Sequence, residues 1–396
     1  MKILVANLGS TSFKYSLYDM ETETLLARGK VQRIGDAESP CEVTIGGKTA
    51  TVTVPVPDHA VAVRQCLAQL TDPESGCLKS ADEVAGIGFK AVMANNITGV
   101  QWVTKELLDA MEELNQVMPA HNPPYVRAMR LLNEQFPDIP LVAAFETGFH
   151  QTIPEHNRYY GVPYEWSQKY SVKRFGFHGA SHRYIATRSR EIFGKDLRII
   201  SCHLGGSSSI CAIAHGKSRG SSMGSSAQTG LFHNNRIGDF DPFMMSHVMK
   251  KLGKTFDEML DIFSTQCGML GLSGVSADCR DVYEAAQAGN KQAALAFDVF
   301  VGDIRRYMGA FLVELGGADL IVFTGGIGEY QPTIRSKACR GLAELGIVLD
   351  EAKNETVMGQ ETEISAPESR TKIWVIPTNE EIIVARQTMA KLAERN

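Results

Sequence analysis

The residues best placed to do chemistry come in knots of small and hydroxylated side chains. Asn7, Gly9, Ser10, Thr11 and Ser12 crowd into "NLGSTS" straight after the apolar run "ILVA". The stretch "RIISCHLGGSSSICAIAHGK" (198–217) repeats the arrangement: an apolar run, a Gly/Ser knot, a second short strand. Aligned on their glycines, Asn7 falls on His203, Leu8 on Leu204, Gly9 on Gly205, Ser10 on Gly206, Thr11 on Ser207 and Ser12 on Ser208. A third knot, "FTGGIGEY" (323–330), closes another apolar run. Such loops expose runs of backbone N–H groups, and glycine lets that backbone approach a ligand, so they are natural phosphate cradles. One alone reads equally well as a turn. Three at the polar ends of apolar strands point to a ligand beyond the carboxyl ends of a sheet. None matches GxxxxGK[ST], and Gly-Gly-Ile-Gly is not GxGxxG, so neither a P-loop nor a dinucleotide fingerprint is present.

Strands and helices must hold these knots in place. "EVTIGGKTATVTVPV" (42–56) alternates like a hairpin turning at Gly46-Gly47. Residues 104–117 and 125–136 have helical periodicity, and "IPLVAAFE" (139–146) is a buried strand with a polar end. "DEMLDIFSTQ" and "AAQAGNKQAALAFDVFVGDIRRYMGAFLVEL" read as helical, "ADLIVFTGGIGEY" as a strand stopping in glycines, and "IWVIPTNEEIIVARQTMAKLAE" as strand, turn and closing helix. Strands alternating with helices imply an α/β fold with parallel central strands. Two similar units half a chain apart imply duplicated domains. The expected division is 1–150, closed by the last helix at 383–396, and 151–382.

Bulk composition is consistent with this. At 396 residues the chain suits two or three domains, and 44% hydrophobic with 21% charged residues supplies a large core. A net charge of −5 argues against a nucleic-acid partner. "MKILVANLGS" has too short an apolar run for a signal core, and no stretch approaches a membrane span. The eight cysteines are scattered without a CxxC pair, so reduced thiols in the cytoplasm are expected.

Two α/β halves with hydroxyl-rich phosphate loops resemble the sugar kinase, actin and heat-shock ATPase architecture, in which the nucleotide lies in a cleft between actin-like, ribonuclease H-like domains. Ordered stretches narrow the resemblance: "NLGSTSFK" (7–14), "FETGFHQTIP" (145–154), "RFGFHGASHRY" (174–184), "HLGGSSSI" (203–210), "GDFDP" (238–242), "FTGGIGE" (323–329) and "PTNEE" (377–381). From residue 3 to about 388 the chain resembles the acetate kinase family. That resemblance implies reversible transfer of a phosphoryl group from ATP to a short carboxylate, giving ADP and an acyl phosphate, with Mg²⁺ (Mn²⁺ as the alternative). It further implies a homodimer built through the second domain, and closure around the cleft to exclude water.

The same resemblance assigns residues. Asn7 and Glu380 match the magnesium site, where oxygen donors suit a hard cation. Lys14, His203, Leu204, Gly205, Gly206 and Ser207 match the ATP phosphate contacts. Asp278, Cys279 and Arg280, with Gly326, Ile327, Gly328, Glu329 and Tyr330, match the adenosine pocket. Arg236 matches the arginine facing the transferring phosphoryl group, and His178 a histidine donating to its oxygens. Glu146 stands at the catalytic carboxylate. Lys90, Val92, Ala120, Phe177 and Ala227 stand around the acyl substrate.

Departures gather at the acyl end. Phe89-Lys90 replaces the usual His-Arg, and a lysine supplies charge without the bidentate fork. Met93-Ala94-Asn95 replaces His-Gly-Gly. Glu146 replaces the usual Asp, displacing the charge by about 1 Å, enough to cost on the order of 10²-fold if uncompensated; pairing with Lys90 is the expected compensation. Ala120 and Ala227 stand where Leu and Pro are usual, and Gly206 lacks the amide of the usual Asn. Tyr330 replaces an Asn and either stacks on adenine or caps the strand end. The leading reading is an ATP-dependent carboxylate kinase with acetate as default acceptor. The alternatives are a phosphotransferase of this fold with another acceptor or donor, and a nucleotide-binding protein with decayed kinase activity.

Overall fold

The computed structural model describes residues 1–118 and 121–395. The chain divides into two compact units, Met1–Gly148 with Asn379–Asn396, and Phe149–Thr378.

In the first unit the strands are β1 (Lys2–Leu8), β2 (Ser12–Asp19), β3 (Thr24–Gln32), β4 (Ser39–Ile45), β5 (Lys48–Val54), β6 (Val84–Ala91), β7 (Val100–Trp102) and β8 (Leu141–Phe145). They form one eight-stranded sheet in the order β5-β4-β3-β2-β1-β6-β8-β7. Only β1, β6 and β8 run parallel; antiparallel neighbours flank them on both sides. These central strands are buried almost throughout, as parallel strands covered on both faces must be. Helices His59–Leu70 and Asn122–Gln135 pack with Phe13, Tyr15, Leu17 and Phe89 into one core. The closing helix Glu380–Ala393 lies against β6, β1 and β8. Gly88 on β6 permits that contact, because a Cβ there would lie 2.1 Å from Thr388 Oγ1.

The second unit repeats the plan. Its strands are β9 (Ile199–Leu204), β10 (Ser208–Ala214), β11 (Lys217–Ser221), β12 (Leu320–Thr324), β13 (Thr362–Glu363) and β14 (Lys372–Val375), ordered β11-β10-β9-β12-β14-β13. Strand for strand this matches β3-β2-β1-β6-β8-β7, with the same antiparallel and parallel pairings. The β4–β5 hairpin is the first unit's addition. The glycine alignment of the two knots needs one adjustment: Asn7 pairs with Lys14 across its hairpin, whereas His203 pairs with Ser209, so the first loop is one residue longer.

Two local readings change. The glycines after β12 do not form a loop but the helix Gly325–Tyr330, entered through Gly325 at φ +75°, where a Cβ would meet Leu204 O at 2.8 Å. The long helical run expected over 285–315 is divided between two helices, Cys279–Gln287 and Lys291–Glu314, parted at Gly289 (φ +93°) and restarted by Asn290, whose side chain caps Gln292 and Ala293 N–H. No helix among the described residues is long and apolar enough to cross a membrane.

Candidate functional site

In the second unit a cavity of about 570 Å³ opens above the ends of β9 and β12, lined by Gly205, Gly206, Asp278, Cys279, Arg280, Gly326, Ile327 and Tyr330. Asn234, Ala277 and Gln331 complete the wall. Arg280 lies across Asp278, Nη2 to Oδ2 2.5 Å, and the guanidinium holds that carboxyl below its usual range. Asp278 also caps its helix at Arg280 N–H, fixing the wall of the cavity. The Tyr330 ring lies on Gly359, where a Cβ would meet the phenol oxygen at 2.4 Å, so its place depends on that glycine.

Below the phosphate-type loop is a cluster of imidazoles. His178 sits left-handed (φ 55°, ψ 34°) at the start of helix Gly179–Phe193, a conformation that costs a residue with a Cβ and marks an imposed geometry. Its ring stacks on His203 at 4.2 Å and bonds Ser209 Oγ through Nδ1 at 2.8 Å. His150 fixes the approach: Nε2 donates to Phe177 O, Nδ1 faces Ser218 Oγ, and Gly176 (φ +74°) leaves room for the ring. Burial lowers the His150 pKa to about 4 and drives those of His182 and His233 well below the usual value. His233 Nδ1 accepts from Ser208 N–H, bracing the loop base. Arg236 is largely buried, with Nη1 donating to Ala227 O at 2.7 Å; burial alone lowers its pKa to about 10.

The first unit carries its own charged cluster. Lys90, near the end of β6, donates to Glu380. Burial pulls the ammonium toward neutrality, yet Glu380 and then Glu146 outweigh it and hold the lysine pKa above its usual value. The hydrogen-bonding partner of Lys90 is therefore Glu380, and Glu146, buried just past β8, acts on it through its charge. Tyr125 joins the cluster electrostatically and accepts from Leu8 N–H at 3.3 Å. Asn7 Nδ2 donates to Glu381, while Asn7 Oδ1 is buried without a hydrogen bond among the described residues. That orphaned amide oxygen and the Glu380 carboxylate are oxygen donors of the kind a hard cation takes. Among the described residues no three His, Cys, Asp or Glu converge as a self-sufficient metal site.

The family model described as the acetokinase family matches residues 2–386. The chain belongs to the acetokinase family. It is 42% identical to the acetate kinase of Anoxybacillus flavithermus and 40% to that of Bacillus subtilis, each over 98% of both chains. Among solved structures, the acetate kinase of Porphyromonas gingivalis matches with a TM-score of 0.90 at 37% identity, covering 99% of both chains. A propionate kinase from Francisella tularensis matches at 0.89 and 29%, covering 98% of both. The duplicated actin-like α/β fold and membership among carboxylate kinases follow.

Against the family's motif residues, the structure gathers most of the expected adenosine-pocket positions around one cavity, but not all. Leu204 and Gly328 are buried beneath it. Glu329 turns its carboxylate inward, accepting from Gly325 N–H at 2.8 Å and Thr378 N–H at 3.3 Å, and burial raises its pKa. Ser207 is half-buried at the loop tip and Lys14 is exposed on β2. Val92 and Phe177 are buried, and Ala227 is tied to Arg236 through its carbonyl. Ala120 lies outside the described residues. Sequence reasoning passed over His150, Tyr125 and Asn234. Asn234 was the discoverable one: its amide lies 3.4 Å from where a Gly206 Cβ would stand, supplying nearby the amide that Gly206 lacks.

Proposed function

We propose that the chain transfers the γ-phosphoryl group of ATP to an acetate carboxylate, forming the new O–P bond as the bond to the ADP leaving oxygen breaks. The observation that carries the reading is the cavity above β9 and β12, which joins the Gly205–Gly206 amides to Asp278–Arg280 and Tyr330 at a size suited to a nucleotide. Gly205, Gly206 and Ser207 hold the phosphates, Arg236 and His178 stabilise charge on the phosphoryl group in transit, and the adenosine rests against Ile327 and Tyr330. Phosphoryl transfer needs positioning and electrostatics more than covalent help, which suits a guanidinium and imidazoles held in place. Lys90, Val92, Phe177 and Ala227 receive the acid, and Glu146 sets the charge around it. Propionate is the next acceptor in line, supported by the small buried Ala227 and the likeness to a propionate kinase.

Asn7 and Glu380 would hold Mg²⁺, or Mn²⁺ in its place; when bound, the cation screens charge on the nucleotide phosphates. A homodimer is supported by the exposed apolar residues Phe243, Met244, Phe256 and Leu260 on helices Pro242–Leu252 and Phe256–Thr265. Cytoplasmic residence is supported by eight free cysteines. The test is hydroxylamine trapping of acyl phosphate with ATP across a panel of short carboxylates. Acetate or propionate should give hydroxamate; ATP binding without product on any acid would leave the nucleotide-binding alternative.

A further inference from the structure

The closing helix opens on two consecutive carboxylates, and they part to opposite flanks of β1. The sheet order β2-β1-β6 sets β1 between its two neighbours. Glu380 receives Lys90 from β6, while Glu381 reaches over β1 to β2. Successive side chains on a helix diverge by about 100°, so one turn can serve both flanks.

Both oxygens of Glu381 are taken. Ser16 Oγ, buried on β2, donates to Oε2, and Asn7 Nδ2, near the end of β1, donates to Oε1 at 3.4 Å. At the other end of that amide, Asn7 Oδ1 is buried without a hydrogen bond among the described residues. An asparagine amide has nearly the same shape either way round, so its neighbours decide which end points where. Turned over, Asn7 would set its oxygen against a Glu381 oxygen, two acceptors with no proton between them. At 3.4 Å the bond is long, but a carboxylate repels the reversed amide without needing a short contact. Ser16 pins the carboxylate in turn, holding Oε2 and leaving Oε1 to Asn7.

We propose that Glu381 is a positioning residue that holds the Asn7 amide with Oδ1 presented to a divalent cation, and that Ser16 steadies Glu381. This rests on the assignment of Asn7 and Glu380 to the cation under the proposed function. An unpaired buried oxygen is a cost to the folded chain, and a cation would turn it into a prepared donor. Nδ2 donates only to Glu381 among the described residues. Without that carboxylate the amide is no longer fixed, and only the fraction of molecules with Oδ1 forward is competent to bind.

Two measurements on the full chain test this. Without metal, the ¹⁵N-labelled side-chain amide of Asn7, assigned by Asn7→Ala, should show one proton shifted downfield by the carboxylate. Glu381→Gln, which keeps an acceptor, should retain that signal, and Glu381→Met should lose it. With Mn²⁺ alone, followed by electron paramagnetic resonance, Glu381→Met should bind about threefold or more weakly than Glu381→Gln. Both variants are neutral, so their difference reads orientation and not charge. In an Asn7→Ala background the two should bind Mn²⁺ equally, since there is no amide left to orient. Ser16→Ala should move the amide signal and the affinity in the same direction as Glu381→Met, by less. An Asn7 amide signal untouched by Glu381→Met would overturn the proposal, as would equal Mn²⁺ affinities of Glu381→Gln and Glu381→Met with Asn7 in place. Native Mn²⁺ affinity in Asn7→Ala would instead remove the cation assignment beneath it, and the amide signal would still report whether Glu381 fixes the side chain.

Discussion

Lys90 donates to Glu380, tying the end of β6 to the first turn of the closing helix. Two carboxylates, Glu380 and Glu146, share this one ammonium in a largely buried setting. Removing it leaves their charges uncompensated. Lys90→Met should cost about 2–3 kcal/mol, read as a lower urea midpoint, while Lys90→Arg should recover most of it.

The same ion pair sets up a competition. A divalent cation taken up by Asn7 and Glu380 must draw the Glu380 carboxylate away from Lys90. Binding of Mn²⁺ without nucleotide, followed by electron paramagnetic resonance, should therefore tighten about tenfold in Lys90→Met. Unchanged or weaker binding would show that the lysine does not contest the site.

Asn234 predicts a split in kinetic constants. Its amide stands beside Gly206 in the wall of the nucleotide cavity. Asn234→Ala should raise KM for ATP about three- to tenfold and leave KM for the carboxylate within about twofold. Equal effects on both substrates would place the amide elsewhere in the reaction.

Arg335 is fully buried and holds the helix Gly325–Tyr330 from below. Its guanidinium donates to Gly328 O, Glu329 O, Asn354 Oδ1, Asn354 O and Val357 O. A lysine cannot reach that fan of acceptors from one nitrogen. Arg335→Lys should lower stability by about 2–4 kcal/mol and weaken ATP binding with it, both measurable by thermal shift with and without nucleotide.

Acid should destabilise the second unit through His150. Its folded pKa is about 4, below the ordinary histidine value of about 6.5, so the unfolded chain binds the proton more readily. Stability is whole above about pH 6.5, falls as pH drops through the window to about 4, and levels off below it. The contribution is about 3 kcal/mol, and His150→Asn should flatten that part of the pH–stability curve.

The knots "NLGSTS" and "HLGGSSS", and the duplication they announce, were legible because a strand, a small-residue loop and a second strand are contiguous in the chain. The hairpin at Gly46-Gly47 and the cap at Asn290 are equally local. The loop-or-helix choice after β12 was not, since Gly325–Tyr330 becomes helical only with Arg335 beneath it and Leu204 beside it. The partner of Lys90 was likewise hidden, because Glu380 lies 290 positions away.

By itself, then, the sequence determined most of the elements, that the chain is built twice, and which backbone loops could cradle phosphate, all set by neighbours in the chain. The tertiary structure decided which carboxylate meets Lys90, which amide stands beside Gly206, and which carbonyls the buried Arg335 gathers. Those outcomes depend on buried charges and polar groups finding partners, and such partners come together only once the sheets have folded.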